Sequence, residues 1–527
     1  MSPSSHNGYR PGRDRRAVLH PPRDGRPRPD GPVPRVAVVG GGIAGVAAAV
    51  ALAERGVQVQ LVEREPQLGG RLRGWPTTLA DGSTVTMSRG FHAFFRQYYN
   101  LRALLRRADP LGRALVPIVD YPLVDANGHR DTFQGLPRTP PWNALAFALL
   151  SPTFGWRDLL TQINLVAALQ LLDVSVPEVY HRLDDQDAMT FLERVRFPQA
   201  ARHLAFSVFS RSFFADPREL SAAELITMFH IYFLGSAEGL VFDVTAEPFP
   251  QALWEPMADY LAELGVVVTA GSTVREICPG REHRFTVRLS NSANATDTAD
   301  ADADADAVVL ATDVAGLQTL LTASPHLGTA CWRARIARLR MAPPFLVCRF
   351  WLDRPVRPDR PGFLGTSGFG PLDNVSVLER FEGEAARWSR RTGGSVVELH
   401  AYALTSDAEQ GKRRLVDELH RVYPETTAAT IVDERHELRA DCPLFAPGTF
   451  VDRPTVTTAD PAVVLAGDFT RVDLPVALME RAASSGLLAA NALLASWGLR
   501  GHPLWTVPTR GRFAPMRAVA ARFAQAN

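Results

Sequence analysis

Val36-Ala-Val-Val-Gly40-Gly41-Gly42-Ile43-Ala44-Gly45, continued by Val46-Ala-Ala-Ala-Val-Ala-Leu-Ala-Glu-Arg55-Gly56, decides the fold of this chain. The apolar run to Val39 reads as a buried strand, the glycines as a Gly-x-Gly-x-x-Gly turn, and the small residues beyond as a helix. Each glycine has its own task. Gly40 permits the tight turn, Gly42 lets backbone approach a pyrophosphate, and Gly45 lets the helix pack close to the strand. Ile43 and Ala44 open that helix, whose free N–H groups and positive dipole end face the phosphates. Gly56 is placed to stop it. Val57, Val59 and Leu61 then alternate as a second strand that ends at Glu63, with Arg64 beside it. An acid about 20 residues past the turn is spaced to hold a ribose hydroxyl pair. A bare glycine turn arises by chance; one with both strands, the helix and the acid in register predicts a bound dinucleotide.

Directly afterwards, Pro66-Gln67-Leu68-Gly69-Gly70-Arg71-Leu72 resembles the second glycine motif of the amine-oxidase and carotenoid-desaturase flavoproteins. The resemblance implies that Gly69, Gly70 and Arg71 lie along FAD, which favours FAD over NAD. Physically, a glycine pair lets backbone approach a bulky cofactor, and a guanidinium pairs well with phosphate. Far downstream, Ala462-Val-Val-Leu-Ala-Gly467-Asp468 reads as a buried strand, and Val476 to Ala490, holding Met479, as a helix. In the same group such an Asp reaches the phosphate–ribityl region, and the helix N-terminus points at the isoalloxazine, where its dipole stabilises negative charge. Val274, in the strand-like Thr273–Ile277, is the residue the resemblance sets against the adenine.

Composition bounds the rest. A chain of 527 residues exceeds a single core and predicts two or more domains. A formal charge of +1 with 21% charged residues carries no nucleic-acid footprint. Cys278, Cys331, Cys348 and Cys442 are scattered without metal spacing, and read as reduced thiols of a cytoplasmic protein. No apolar run is long enough to span a bilayer, so a lipid substrate would be met by peripheral contact with the membrane surface. Residues 1–32, rich in Pro, Gly and Arg, read as a disordered leader, and 509–527 as a flexible tail. Within the latter, Arg510 to Phe523 fits an amphipathic anchor or a frayed end equally well. The Ala-Asp run ending at Asp306 reads as an extended hairpin loop between strands Phe285–Leu289 and Ala307–Ala311.

The fold class that follows is α/β: a discontinuous Rossmann-type FAD-binding domain (33–115, 245–325 and 440–500) with an inserted mixed α+β substrate domain (116–244 and 326–439). The first insert reads as helical and apolar, at Leu159–Leu172, Ala200–Phe214 and Ala222–Leu234. The second is strand-rich, with Phe345–Trp351 and Ser395–Tyr402 as clear sheet segments.

A sharper resemblance lies in Ser88-Arg-Gly-Phe91-His92-Ala-Phe94-Phe95-Arg-Gln-Tyr98-Tyr99-Asn100-Leu101. With Phe209–Pro217, Phe229–Gly239, Leu474–Arg481 and Gly501–Pro508, it is similar to the carotenoid φ-ring (isorenieratene) synthases, from about residue 34 to about 508. That family implies aromatisation of the β-ionone ring of β-carotene: loss of four hydrogens per ring and a 1,2-methyl shift. A hydride acceptor, a dry pocket and aromatic faces against a ring cation suit this chemistry. The expected substrate-binding residues are Phe91, Phe94, Phe95, Tyr98, Phe213, Phe229 and Tyr232; taken one at a time, each reads more readily as ordinary core, although a long polyene needs an apolar tunnel of this composition. Glu480, Asp473 and His92 are the acid–base candidates. Against them stand a salt bridge for Glu480, helix capping for Asp473 and a structural role for His92. Two other readings stay open: another flavin desaturase or amine oxidase of this fold, and a non-catalytic carotenoid-binding flavoprotein. The sequence names no terminal electron acceptor.

Overall fold

The computed structural model describes residues 12–140, 142–151, 164–172, 174–196, 214–291 and 302–511, with 514, 515 and 518. Its centre is a parallel five-stranded sheet, ordered Val267–Ala270, Gln58–Glu63, Arg35–Val39, Ala307–Leu310, Val463–Leu465. The inner strands are runs of buried aliphatic residues, as a sheet covered on both faces demands. Helix Ile43–Ala53 is buried along its whole length and lies against helix Leu478–Ser496. Small residues make that approach possible: a Cβ on Gly486 would stand 2.2 Å from the Ala44 carbonyl oxygen. Strands from the two ends of the chain thus build one nucleotide-binding layer.

Two expectations need correction here. Ala307–Leu310 is not the return strand of a hairpin but a central strand of the parallel sheet. The partner of Phe285–Asn291 is instead Asp302–Ala305, the end of the Ala-Asp run. Strict alternation explains it: Ala303 and Ala305 turn inward while Asp302 and Asp304 stay exposed, the period of a half-buried strand. The remainder of that run, 292–301, lies outside the described residues. Nor are residues 12–32 a disordered leader. Val18–His20 pairs antiparallel with Leu504–Thr506, and Arg26 exchanges backbone hydrogen bonds with Gly498 and Arg500. Asp14 is buried and accepts from the Ala237 N–H at 2.7 Å. A segment too polar for its own core is held because a neighbouring strand edge satisfies its backbone.

The second domain rests on a seven-stranded sheet, ordered Ile431–Arg439, Phe345–Leu352, Ser395–Ala401, Asn374–Val377, Phe363–Ser367, Leu123–Asp125, Arg130–Asp131. The last two strands come from the insert expected to be mainly helical, so both inserts share one sheet. Helices Leu165–Leu172, Glu178–Leu183, Ala188–Val195 and Ala222–Phe229 form a separate apolar layer, the last widening into a π turn at His230–Leu234. Residues 159–163 and 200–213 of the expected helices lie outside the described residues.

Candidate active site

At the carboxyl ends of the parallel strands one continuous cavity of about 650 Å³ opens. Its nucleotide end is walled by Gly40, Gly42, Ile43, Ala44, Glu63 and Arg64. Gly42 faces open space, since a Cβ there would meet only the Gly70 Cα, at 3.8 Å. Gly45 does not line the cavity; a Cβ on it would lie 1.8 Å from the Gly40 carbonyl oxygen, so it holds the turn against the helix. The Glu63 carboxylate accepts from the N–H groups of Gly41 at 2.6 Å and Glu65 at 2.9 Å. Burial pushes its pKa up, and those two bonds pull against the rise. A bare glycine cradle, a carboxylate at the end of the second strand and a free helix N-terminus fit the diphosphate and ribose of a dinucleotide.

The cavity continues past Gly69, Gly70, Arg71, Val274, Gly467, Asp468 and Met479, all on its wall. Arg71 pairs with Asp468 at 2.6 Å, joining residues 397 positions apart. The helix beginning at Leu478 presents Leu478, Met479 and Ala482 to the same space. Leu478 has φ 53°, a left-handed conformation costly for a bulky side chain and held where this helix meets the cavity.

Beyond lies an aromatic wall. Phe91 packs on Phe363 with centroids 4.3 Å apart, and Phe95 on Tyr232 at 4.5 Å. Tyr98 and Tyr232 are tied hydroxyl to hydroxyl at 2.7 Å. Rings continue outward through Phe242, Tyr121 and Phe133, which stacks on Phe147 at 4.9 Å. Of the expected substrate residues, Phe91, Phe95, Tyr98 and Tyr232 therefore line the cavity. Phe94 does not: strand alternation turns it into the core of the nucleotide domain, with no exposed surface. Phe229 stacks on Phe233 at 4.9 Å within the helical layer, away from the wall. Phe213 lies outside the described residues.

The acid–base candidates separate in the same way. His92 faces the cavity, with Nδ1 2.9 Å from the Gly90 carbonyl oxygen. Burial pushes its pKa down to about 4, so it is neutral, donates through Nδ1–H and leaves Nε2 unprotonated. Glu480 is off the cavity. Its buried carboxylate accepts from the N–H groups of Asn100 at 2.8 Å and Leu101 at 2.9 Å, capping helix Tyr99–Ala108. Burial, opposed by these bonds, pushes it up to about 8. Asp473 is also off the cavity, half-exposed and 3.4 Å from the Arg471 guanidinium.

Several wall residues went unnoticed in the sequence. Arg89 pairs with Asp441, while His400, Tyr402 and Asn374 form a polar patch on the cavity wall, with His400 beside the Phe91 backbone. Cys442 also lines the cavity, and burial pushes its thiol up to about 11. One signal was available: Glu398 and His400 alternate with Val397, Leu399 and Ala401 along strand Ser395–Ala401, with Tyr402 next in the same period, and polar residues at period two share a face.

A glycine cradle at the strand ends, opening into an aromatic-walled cavity under a helix N-terminus, defines a flavin-dependent oxidoreductase. Comparison with known proteins agrees: the model of the flavin containing amine oxidoreductases matches residues 43–494. The chain belongs to that family and, within it, to the carotenoid phi-ring synthases. It is 63% identical to a carotenoid phi-ring synthase of Streptomyces griseus over 98% of both chains. A carotenoid phi-ring synthase of Chlorobaculum tepidum is 27% identical over 91% of each. Among solved structures, an oxidoreductase from Methanosarcina mazei superposes with a TM-score of 0.61 at 14% identity, covering 86% of this chain and 99% of that one, which speaks to the fold alone. The cofactor is FAD.

Proposed function

We propose that this protein aromatises the β-ionone ring of β-carotene with a 1,2-methyl shift, giving a φ-ring carotenoid of the isorenieratene type. The observation that carries the reading is the single cavity joining the nucleotide cradle to the aromatic wall. The names of the relatives support it. Gly40, Gly42, Glu63, Arg71 and Asp468 would hold FAD, which when bound supplies a two-electron oxidant beside the ring.

The chain's own groups do the remainder. Phe91, Phe95, Tyr98 and Tyr232 fix the ring in one orientation and exclude water. Their π faces stabilise the positive charge that builds next to the geminal methyl carbon, and a methyl shift relieves that charge. Neutral His92 sets an unprotonated ring nitrogen in this wall without adding a competing charge. Two hydrides and two protons leave per ring, so the atoms balance without an external methyl donor.

The substrate reaches this cavity from a membrane. Helix Trp142–Leu150 rests on Phe133 of the cavity wall through Phe147, and turns Trp142, Leu145, Leu149 and Leu150 to solvent at 58%, 48%, 61% and 71% exposure. Large apolar groups on the outer face of a helix beside an apolar cavity suit a lipid surface. Among the described residues no helix is long and apolar enough to cross a membrane.

Expression in cells that accumulate β-carotene tests the reading. A pigment lighter by four hydrogens per converted ring, with an aromatic end-group spectrum, is expected. Unchanged β-carotene in the presence of FAD-loaded protein overturns it.

A further inference from the structure

A second, much smaller cavity adjoins the first, and Phe91 and His92 line both. Phe91 packs on Phe363 of the main cavity at 4.3 Å and meets Phe381 of the small one at 6.4 Å. The His92 ring stands at 85° to Phe249, another wall residue of the small cavity, with centroids 5.6 Å apart. The small cavity measures about 20 Å³, more than the roughly 10–15 Å³ that one water needs and too little for a larger ligand. Its wall also carries Thr86, Ser88, Arg349, Glu398 and Glu382, polar groups of the kind that hold a buried water.

The carboxylates around this cavity are engaged, with one exception. Glu398 bonds Arg349 at 2.8 Å, Glu384 accepts from the Thr86 N–H at 2.7 Å, and Glu247 pairs with Arg387 at 2.8 Å. Arg349 directs its other N–H groups to the Thr86 carbonyl oxygen and the Ser88 hydroxyl. Glu382 occupies the N-cap position of helix Gly383–Thr392, yet its side chain caps nothing, and no described residue bonds its carboxyl. Burial pushes its pKa up to about 7; Arg349 pulls against the rise, and Glu384, Glu398 and Glu247 add to it. His92 is the matching half. Its Nδ1–H is committed to the Gly90 carbonyl oxygen at 2.9 Å, and Nε2 keeps a lone pair with no partner among the described residues.

We propose that His92 is the catalytic base that takes the ring proton, and that the small cavity, holding one water, hands it on to Glu382 as a positioning residue; the assignment rests on the aromatisation reading above. A ring C–H bond breaks, its electron pair closes the new C=C bond, and the proton joins His92 Nε2. The hydride lost in the same oxidation goes to FAD. Weak basicity is no obstacle, since a ring cation one proton away from aromaticity is a far stronger acid than imidazolium. Burial disfavours that imidazolium, as do the neighbouring Arg89, His400 and Arg71. It therefore returns the proton from Nε2 to the water, which protonates the Glu382 carboxylate. Partly buried at a helix end, Glu382 releases it to solvent.

The test follows initial rates of β-carotene conversion by the full-length, FAD-loaded protein in lysates of β-carotene-accumulating cells, which supply the electron acceptor, on both sides of about pH 7. Glu382 accepts only as a carboxylate, so the wild-type rate divided by the Glu382→Gln rate should climb from near one at low pH to about tenfold above pH 7. Glu382→Asp, which keeps the carboxyl, should restore the faster rate. A ratio that stays flat across this range, or a Glu382→Asp protein no faster than Glu382→Gln, overturns the relay. His92→Gln should keep FAD yet aromatise about a hundredfold more slowly at every pH. A His92→Gln rate within about threefold of wild type overturns the base. Should that variant fail to hold FAD, the Glu382 comparison still decides. A readout free of turnover accompanies this: in ¹⁵N-histidine-labelled resting protein, the signal missing from His92→Gln should be a neutral Nδ1–H tautomer. An imidazolium or an Nε2–H tautomer there overturns the base as well. Wild-type protein that binds carotene but never aromatises it overturns the functional reading itself, a failure seen without any variant.

Discussion

Gly42 and Gly45 sit one turn apart, and a methyl group on each should act differently. At Gly45 the new Cβ would overlap the Gly40 carbonyl oxygen at 1.8 Å, so Gly45→Ala breaks the turn and lowers both stability and flavin content. At Gly42 the only neighbour is 3.8 Å away, so Gly42→Ala folds normally and intrudes only on the bound pyrophosphate. FAD content by absorbance, measured beside the thermal midpoint of the apoprotein, separates the two. A Gly42→Ala protein that retains wild-type FAD affinity would remove this stretch from the cofactor site. Glu480 offers a second test, since its cap and its raised pKa give it a structural task. A carboxyl held at about 8 when folded but near 4.5 when unfolded favours the fold below the lower value and loses that advantage as pH rises through about 8. Glu480→Gln should therefore lack this downward slope between about pH 4.5 and 8, while its rate of ring oxidation with saturated flavin changes little. A hundredfold loss of turnover with intact flavin binding would instead return Glu480 to the chemistry.

Element by element, the nucleotide unit was legible in the sequence because its steric demands are local. Strand, glycine turn, helix and acid lie within residues 35–63 and each dictates a residue type. Legibility failed where pairing depends on distant partners. Ala307–Leu310 and Phe285–Asn291 are both good strands, and nothing within either says that they belong to different sheets. Val18–His20 looks unstructured until Leu504–Thr506 supplies an edge. Glu480 stands in the right helix for a cofactor contact, yet its rotation toward Asn100 is decided by packing. Helix Trp142–Leu150 carries a prediction at this scale. Leu149→Glu places a charge on its exposed face, and the protein should lose co-flotation with phosphatidylcholine vesicles while still aromatising detergent-solubilised β-carotene. Unchanged flotation of that variant would place the membrane contact elsewhere.

At the scale of the molecule, the question is what couples the helical layer to the flavin site. Glu224, on helix Ala222–Phe229, bonds Arg481 at 2.8 Å and Arg453 beside it, all three buried. Arg481 also donates to the carbonyl oxygens of Val476 at 3.1 Å and Asp468 at 3.4 Å, the backbone flanking the helix that enters the cavity. Burial alone would raise the Glu224 pKa, but the two guanidinium groups hold it at about 2. Its stabilising share is thus present above about pH 4.5 and fades as pH falls toward 2. Glu224→Gln leaves two buried cations undercompensated, a loss of about 3–5 kcal/mol. Because Arg481 braces Val476 and Asp468, the damage should appear first at the cofactor. Bound FAD stabilises only the folded state, so release and unfolding should coincide in wild type. In Glu224→Gln, flavin fluorescence should appear at a lower temperature than loss of helical circular dichroism. If both signals move down together, the Glu224 cluster is a general anchor of the core and not the link between the helical layer and the flavin.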